Sequence, residues 1–147
     1  MALTFKIFSD AALTTEQVGN LVATQNADSS TPPIEFQLWF GSLGSAGADT
    51  ADRKVQADSD PGVDAVELTV VDSAPGSGHE ATEVKLALTQ GGLAGAVAGD
   101  PLSLGVTVTS SIANATEFWV QVDDATGVVG TSTELSVDTV LLRETDV

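Results

Sequence analysis

The chain's single histidine, His79, lies in the stretch Gly76-Ser77-Gly78-His79-Glu80. A serine, a histidine and an acid are the residue types of a hydrolytic triad, in which the histidine accepts the proton of the serine hydroxyl. Here the three would be neighbours on one turn, and no strand–turn–helix pattern presents Ser77 as a nucleophile. The stretch therefore favours a solvated loop histidine. We predict that the chain has no catalytic residue and is not an enzyme.

Carboxylates are the second source of possible chemistry, because the chain contains 21 Asp and Glu residues. Glycoside hydrolysis needs two of them facing each other across a sugar cleft. Such clefts are usually lined with aromatic rings, yet aromatic residues make up 5% of this chain and Tyr is absent. We therefore predict that Asp123-Asp124 and the pair Glu80 and Glu83 are turn and surface residues.

The sequence Asp58-Ser59-Asp60-Pro61-Gly62-Val63-Asp64 is the candidate metal site. Oxygen ligands at Asp58, Asp60 and Asp64 could surround Ca²⁺, and Gly62 permits a sharp bend. In an EF-hand loop, however, the glycine comes one place later and a glutamate follows at the twelfth position. The alternative is a β-turn in which an aspartate caps the bend and Pro-Gly forms it. We expect no other cofactor.

Trp39 and Trp119 each lie between apolar residues that alternate with period two, so both are expected on the opposite, outward face of a strand. An outward tryptophan is typical of a protein–protein contact, where aromatic residues are enriched. The alternative is that both rings cap a barrel end or lie under a loop such as 41–52. We take both as interface candidates.

Composition excludes several classes of function. The formal net charge is −16, with 5 Lys and Arg residues, which excludes binding to the phosphate backbone of nucleic acids and disfavours anionic membranes. No apolar run approaches the roughly 20 residues that span a bilayer. Cysteine is absent, so disulfides and thiolate metal sites are excluded. The N-terminus shows no secretory signal pattern, and we expect synthesis in a cytoplasm.

Most of the chain alternates apolar and polar residues with period two, which is typical of half-buried antiparallel strands. The clearest apolar sets are Val66, Leu68 and Val70; Val84, Leu86 and Leu88; Leu102, Leu104, Val106 and Val108; Phe118, Val120 and Val122; and Leu135 and Val137. Segments 3–8, 18–24 and 34–40 are further predicted strands, and 53–57 is a candidate edge strand. Pro- and Gly-containing turns separate the strands, which predicts an all-β, antiparallel β-sandwich or jelly-roll-like single domain.

Two segments are candidates for short helices. They are 14–21 and 91–98, and the glycines of the second favour a loop or a single turn. Residues 41–52 are expected to form a long surface loop or a projecting hairpin. We divide the chain into an N-terminal arm or docking segment with the first strand, 1–24, and a β-sandwich, 25–147. Phe5 and Phe8 of the arm are further interface candidates.

The opening Phe5-Lys6-Ile7-Phe8-Ser9-Asp10-Ala11-Ala12-Leu13-Thr14-Thr15 resembles the start of small structural proteins of tailed bacteriophages. Residues 60–68, 86–89, 99–105 and 114–115 are similar to the same kind of β-rich virion protein. The resemblance implies a particle component with a β-sandwich or jelly-roll-like fold, commonly homo-oligomeric. No functional residue carries over from it.

The resemblance and the composition together suggest a non-enzymatic virion protein. We expect a capsid decoration (cement) protein that binds and stabilises the shell, with the major capsid protein or other virion proteins as partners and a trimer as its own assembly state. The alternative is a tail, collar or fibre component that binds a host receptor or another tail protein through loops 41–52, 74–80 and 123–133.

Overall fold

A computed structural model of the chain describes residues 2–125 and 127–147. The described residues are all-β, which confirms the predicted fold class. The strands are β1 (Lys6–Phe8), β2 (Ile34–Gly41), β3 (Arg53–Ala57), β4 (Glu67–Asp72), β5 (Val84–Ala87), β6 (Leu102–Ser103), β7 (Val108–Thr109), β8 (Thr116–Val122), β9 (Leu135–Thr139) and β10 (Leu142–Asp146). Short 3₁₀ helices occur at Ala81–Glu83, Gln90–Ala94 and Ile112–Asn114.

The first sheet has four antiparallel strands in the order β1-β2-β8-β5. Its register pairs Phe36 with Val120 and Leu38 with Phe118, so the apolar members of both alternating patterns share one face. Because side chains alternate along a strand, this register turns the intervening polar residues and both tryptophans to the other face.

The second layer consists of two three-stranded ladders, β10-β3-β7 and β6-β4-β9. The chain passes directly from β9 to β10, and backbone hydrogen bonds extend both ladders towards this junction: the Asp58 N–H donates to the Leu141 carbonyl, and the Val140 N–H donates to the Glu67 carbonyl. β3 and β4 therefore follow each other along the middle of this layer, with residues 135–146 along one side. The prediction that Arg53–Ala57 is an edge strand is wrong, because β10 and β7 pair with its two sides.

The middle of the second layer is interrupted by residues 58–66, which contain the candidate calcium sequence. The edge formed by β6 and β7 is interrupted beside this segment, at residues 104–107. There the carbonyl of Gly105 accepts the N–H of Val66, the residue just before β4. Gly105 has a φ of +98°, a conformation that glycine adopts without strain. The predicted continuous strand 102–108 is accordingly divided into β6 and β7.

The hydrophobic core lies between the two layers, as in a β-sandwich. Its buried members are Phe5, Leu38, Phe40, Val55, Val66, Leu68, Val84, Leu86, Val108, Phe118 and Val120. They come from both layers and from the first residues of the chain. Apolar burial of this kind contributes roughly 25 cal/mol per Å² and is the main stabilising term of such a domain.

The N-terminal segment is only partly as predicted. Phe5 is 4% exposed and belongs to the core, and β1 pairs with β2. Residues 18–24 form neither the predicted strand nor part of a helix, and Val18 and Val22 are exposed. Gly19 and the β-branched residues around it disfavour a helix, and no neighbouring strand pairs with this stretch among the described residues. The start of the segment 1–24 is thus built into the sandwich.

The described part of the chain contains no helix with the length and hydrophobicity that a bilayer span requires.

Candidate functional site

A histidine and two carboxylates meet where the loops gather at one end of the four-stranded sheet. His79 Nδ1 lies 2.9 Å from Glu83 Oε2 and 3.6 Å from Asp124 Oδ1. One ligand atom from each of the three residues lies within 4.8 Å of the others. We call these three residues the His79 cluster.

Two members of the His79 cluster are positioned by the connection between β4 and β5. The backbone N–H of His79 donates to Glu134 Oε1 at 2.6 Å, which fastens the loop to the residue just before β9. Four residues later, Glu83 ends a short 3₁₀ helix and its Oε2 accepts the N–H of Glu80 at 2.9 Å. That bond turns the carboxylate back towards the histidine, as in the capping box of a helix.

The third member, Asp124, follows directly after β8. The Asp123 N–H donates to the Glu83 carbonyl at 2.9 Å, which brings this loop against the first one. The Asp124 N–H donates to Gln25 Oε1 at 2.9 Å, and its Oδ1 accepts the N–H of Gly127 at 2.9 Å. Segments that are distant in the sequence therefore converge on the His79 cluster.

Burial gives the His79 cluster its electrostatic character. Glu83 is 3% exposed and Asp124 is 6% exposed, whereas His79 remains partly accessible. The prediction that these carboxylates are surface residues is wrong. The Glu80-x-x-Glu83 spacing of a capping box was the available sequence signal, but nothing in the sequence linked it to Asp124.

An imidazole nitrogen close to two buried carboxylates can do one of two things. It can share a proton with them as an imidazolium, or it can join them in binding a cation. Ser77, the serine considered as a nucleophile, makes no hydrogen bond to His79 among the bonds of residues 2–125 and 127–147.

The candidate calcium sequence forms a turn that its own backbone holds. The N–H groups of Val63 and Asp64 both donate to the carbonyl of Asp60, and the Ser59 hydroxyl donates to Asp64 Oδ2 at 2.5 Å. The His79 cluster is the one group of three metal-binding side chains found within the described residues. Asp58, Asp60 and Asp64 are thus not gathered into such a group.

Trp39 and Trp119 lie on the outward face of the four-stranded sheet, as the alternation predicts, and both are half-buried. Trp39 stands opposite Glu117 and Trp119 opposite Gln37 in the register of β2 and β8. The indole N–H of Trp119 donates to Glu117 Oε1 at 2.8 Å. Their role as interface residues remains a prediction.

Residues 9–15, the second part of the opening segment 5–15, form a compact loop. The Asp10 carboxylate accepts N–H groups from Ala12, Thr14 and Thr15 and the hydroxyl of Thr14. Leu13 is buried, and a Cβ at Gly41 would stand 3.0 Å from its Cδ1. The sequence Ser-Asp-Ala-Ala-Leu-Thr-Thr therefore has a structural explanation.

The two phenylalanines of the N-terminal segment lie inside this chain. The register of β1 places Phe8 opposite Trp39, on the outward face of the sheet, yet it is buried there. Phe5 lies in the core between the layers. Neither ring, both predicted as interface candidates, is on the surface.

A second buried charged group lies at the other end of the four-stranded sheet. Glu144 of β10 accepts the N–H of Thr4 at 2.7 Å, the hydroxyl of Thr4 at 2.8 Å and Arg53 Nε at 2.9 Å. The Ser42 hydroxyl donates to Thr4 Oγ1 at 2.7 Å, and Arg53 also pairs with Asp146. We call these five residues the Glu144 cluster.

Hydrogen bonding controls the ionisation of Glu144. Burial opposes its negative charge, but the N–H of Thr4, the Arg53 guanidinium and the Thr4 hydroxyl together outweigh burial and hold the pKa of Glu144 below its ordinary value of 4.5.

The first turns of loop 41–52 lie beside this cluster. They are held by the Thr50 N–H, which donates to the Leu43 carbonyl at 2.9 Å.

Comparisons of the chain with protein-family models, with curated proteins and with solved structures found no match.

Proposed function

We propose that the chain is a non-enzymatic structural protein of a virion that binds the capsid shell as a decoration protein. The observation that carries the proposal is a long sheet edge, residues 135–146, with an exposed leucine at its middle. The phage resemblance of the N-terminal loop suggests the class of particle. The acidic, cysteine-free composition is consistent with an outer subunit.

The sheet edge offers backbone groups to a partner. β9 pairs with β4 and β10 pairs with β3, and the other side of each has no strand beside it among the described residues. An edge strand can accept a strand from another protein without rearrangement of its own sheet. Leu141, at the junction of β9 and β10, is 76% exposed and supplies an apolar contact at that edge.

Charge further restricts the partner. With a net charge of −16, the chain is expected to dock on a basic patch, which for a decoration protein is a patch on the outer surface of the shell. Copies around a local threefold axis would also shield the half-buried tryptophan face. We therefore keep the trimer as the expected assembly state.

The copy number in particles tests the location. Particles of the phage that encodes the chain are purified, and quantitative mass spectrometry compares the chain with the major shell protein. A ratio near one, or a simple fraction of one, is the expected result. A ratio below a few per cent would replace the proposal with a tail, collar or fibre component, and absence from clean particles would overturn both.

A matched pair of variants tests the edge itself. Leu141→Glu places a charge at the middle of residues 135–146, and Val22→Glu makes a similar change at a residue that is 73% exposed in the N-terminal segment. Particles that lack the chain are incubated with each purified protein and then sedimented. Wild type and Val22→Glu should co-sediment, whereas Leu141→Glu should not. Equal binding by the two variants would show that this edge is not the contact.

A further inference from the structure

We propose that the His79 cluster is a binding site for a divalent transition metal of the Zn²⁺ type, held by His79, Glu83 and Asp124. The site would fasten together the loops at one end of the sandwich. It is independent of the proposed role in a virion, because it rests on the geometry and charge of these three side chains alone.

The first argument is charge. Glu83 and Asp124 are both more than nine-tenths buried, with ligand atoms less than 4.8 Å apart. Two ionised carboxylates at this distance repel each other, and burial strengthens that repulsion. A protonated imidazole leaves the group at a charge of −1. A neutral imidazole with a divalent cation brings the same three side chains to zero.

The second argument is distance. Ligand atoms about 2.0–2.2 Å from a tetrahedral zinc ion lie roughly 3.3–3.6 Å from one another. His79 Nδ1 and Asp124 Oδ1 are 3.6 Å apart, which fits such an ion without movement. His79 Nδ1 and Glu83 Oε2 are 2.9 Å apart, so this pair must separate by about half an ångström to hold a metal.

The donor set selects the type of metal. One imidazole nitrogen with two carboxylate oxygens suits zinc and its first-row neighbours, whereas Ca²⁺ and Mg²⁺ prefer oxygen ligands alone. Three protein ligands leave a fourth position for water, and the partial exposure of His79 provides access for it. The backbone bonds that aim Glu83 and Asp124 act as the outer support that such ligands usually have.

A metal here would add a link between loops at the end of the paired strands β5 and β8. His79 is tied to Glu134 before β9, and Asp124 is tied to Gln25 in the N-terminal segment. Coordination would therefore stabilise the folded state by an amount that rises with the logarithm of the free metal concentration, since the unfolded chain does not hold the three ligands together.

The direct test is metal binding by the full-length purified protein after treatment with a chelator. Isothermal titration with Zn²⁺ should show one site per chain. Because His79 is the only histidine, the ¹⁵N signals of its imidazole report on the site without ambiguity. Zn²⁺ should shift these signals strongly at one equivalent, and Ca²⁺ and Mg²⁺ should leave them unchanged.

Two isosteric variants and one control complete the test. Glu83→Gln and Asp124→Asn keep the shape and much of the hydrogen bonding of the cluster but remove a ligand charge, and each should weaken Zn²⁺ binding at least tenfold. Asp64→Asn, in the candidate calcium sequence, should bind Zn²⁺ like wild type. The proposal is overturned if metal-stripped wild type shows no stoichiometric binding, or if its imidazole signals do not respond. Either result would leave the cluster as a set of hydrogen-bonded side chains with a structural role alone.

Discussion

The two charged clusters lie at opposite ends of the four-stranded sheet and differ in how their charge is balanced. The Glu144 cluster contains Arg53, a permanent cation, together with neutral donors on Thr4. The His79 cluster contains two buried carboxylates and an imidazole, whose charge depends on a proton. The one buried carboxylate of the first cluster, Glu144, is matched by Arg53, and Asp146 is exposed. The second cluster has two buried carboxylates beside a single imidazole.

The clusters also differ in what holds their members in place. Arg53 and Glu144 lie on β3 and β10, which pair directly, so the sheet ladder fixes their positions. His79 and Asp124 lie in loops that come together at the ends of strands. A cluster between paired strands contributes to the basic stability of the fold, while a cluster between loops is suited to a ligand that joins them.

The largest expected effect concerns the end of the molecule that holds the Glu144 cluster. Phe5 follows Thr4 and is buried in the core, so Phe5→Ala should lower the free energy of unfolding by about 3–5 kcal/mol. Urea unfolding measures the change, with the exposed Val22→Ala as the control. A small effect at Phe5 would show that the N-terminal segment is an arm separate from the sandwich. For the same reason, deletion of residues 1–12 should unfold the domain rather than release an arm.

The next expected effect is a difference between the two clusters in the direction in which the urea midpoint changes when one carboxylate is replaced by its amide. Glu144→Gln removes the buried one of the two carboxylates that pair with Arg53 and should lower the urea midpoint. Glu83→Gln removes one of two facing carboxylates, so in chelator and alkaline buffer, where imidazoles are neutral, it should leave the midpoint unchanged or raise it. Equal destabilisation by both variants would contradict the contrast in charge balance.

A smaller effect is expected in acid. The pKa of Glu144 is lowered in the folded state, so its contribution to stability is present above about pH 4.5, its ordinary value, and is lost as the pH falls through the lower folded-state value. The difference in stability between wild type and Glu144→Gln should therefore shrink on acidification. Thermal unfolding at a series of pH values checks this, and a difference that stays constant would exclude the linkage.

The smallest effect is expected for a substitution in residues 58–66, the segment between β3 and β4 that contains the candidate calcium sequence. Asp64 lies in a turn that the Asp60 carbonyl already holds, so Asp64→Asn should produce no measurable change in the urea midpoint. The same variant tests the calcium hypothesis, because a Ca²⁺-dependent rise in the midpoint of wild type that Asp64→Asn abolishes would establish that site.

Much of the sheet arrangement could be predicted from local patterns. The alternation at 34–40 and 118–122 assigned the inward and outward residues of β2 and β8 correctly, because the register of a half-buried sheet follows its apolar face. The pattern failed for β3, which was assigned to an edge. Its partner β10, Leu-Arg-Glu-Thr-Asp, has no apolar alternation, and its pairing depends on a ladder and an ion pair formed across the chain.

The sequence by itself determined the all-β class, the outward tryptophans and the acidic, cysteine-free character of the protein. The acidic, cysteine-free character follows from the composition. The fold class and the orientation of the tryptophans follow from the alternation of apolar and polar residues along single strands. Only the tertiary structure decided the burial of Phe8 and the grouping of His79, Glu83 and Asp124. His79 and Asp124 are 45 positions apart, and their approach depends on the antiparallel pairing of β5 with β8, which brings the start of one strand beside the end of the other.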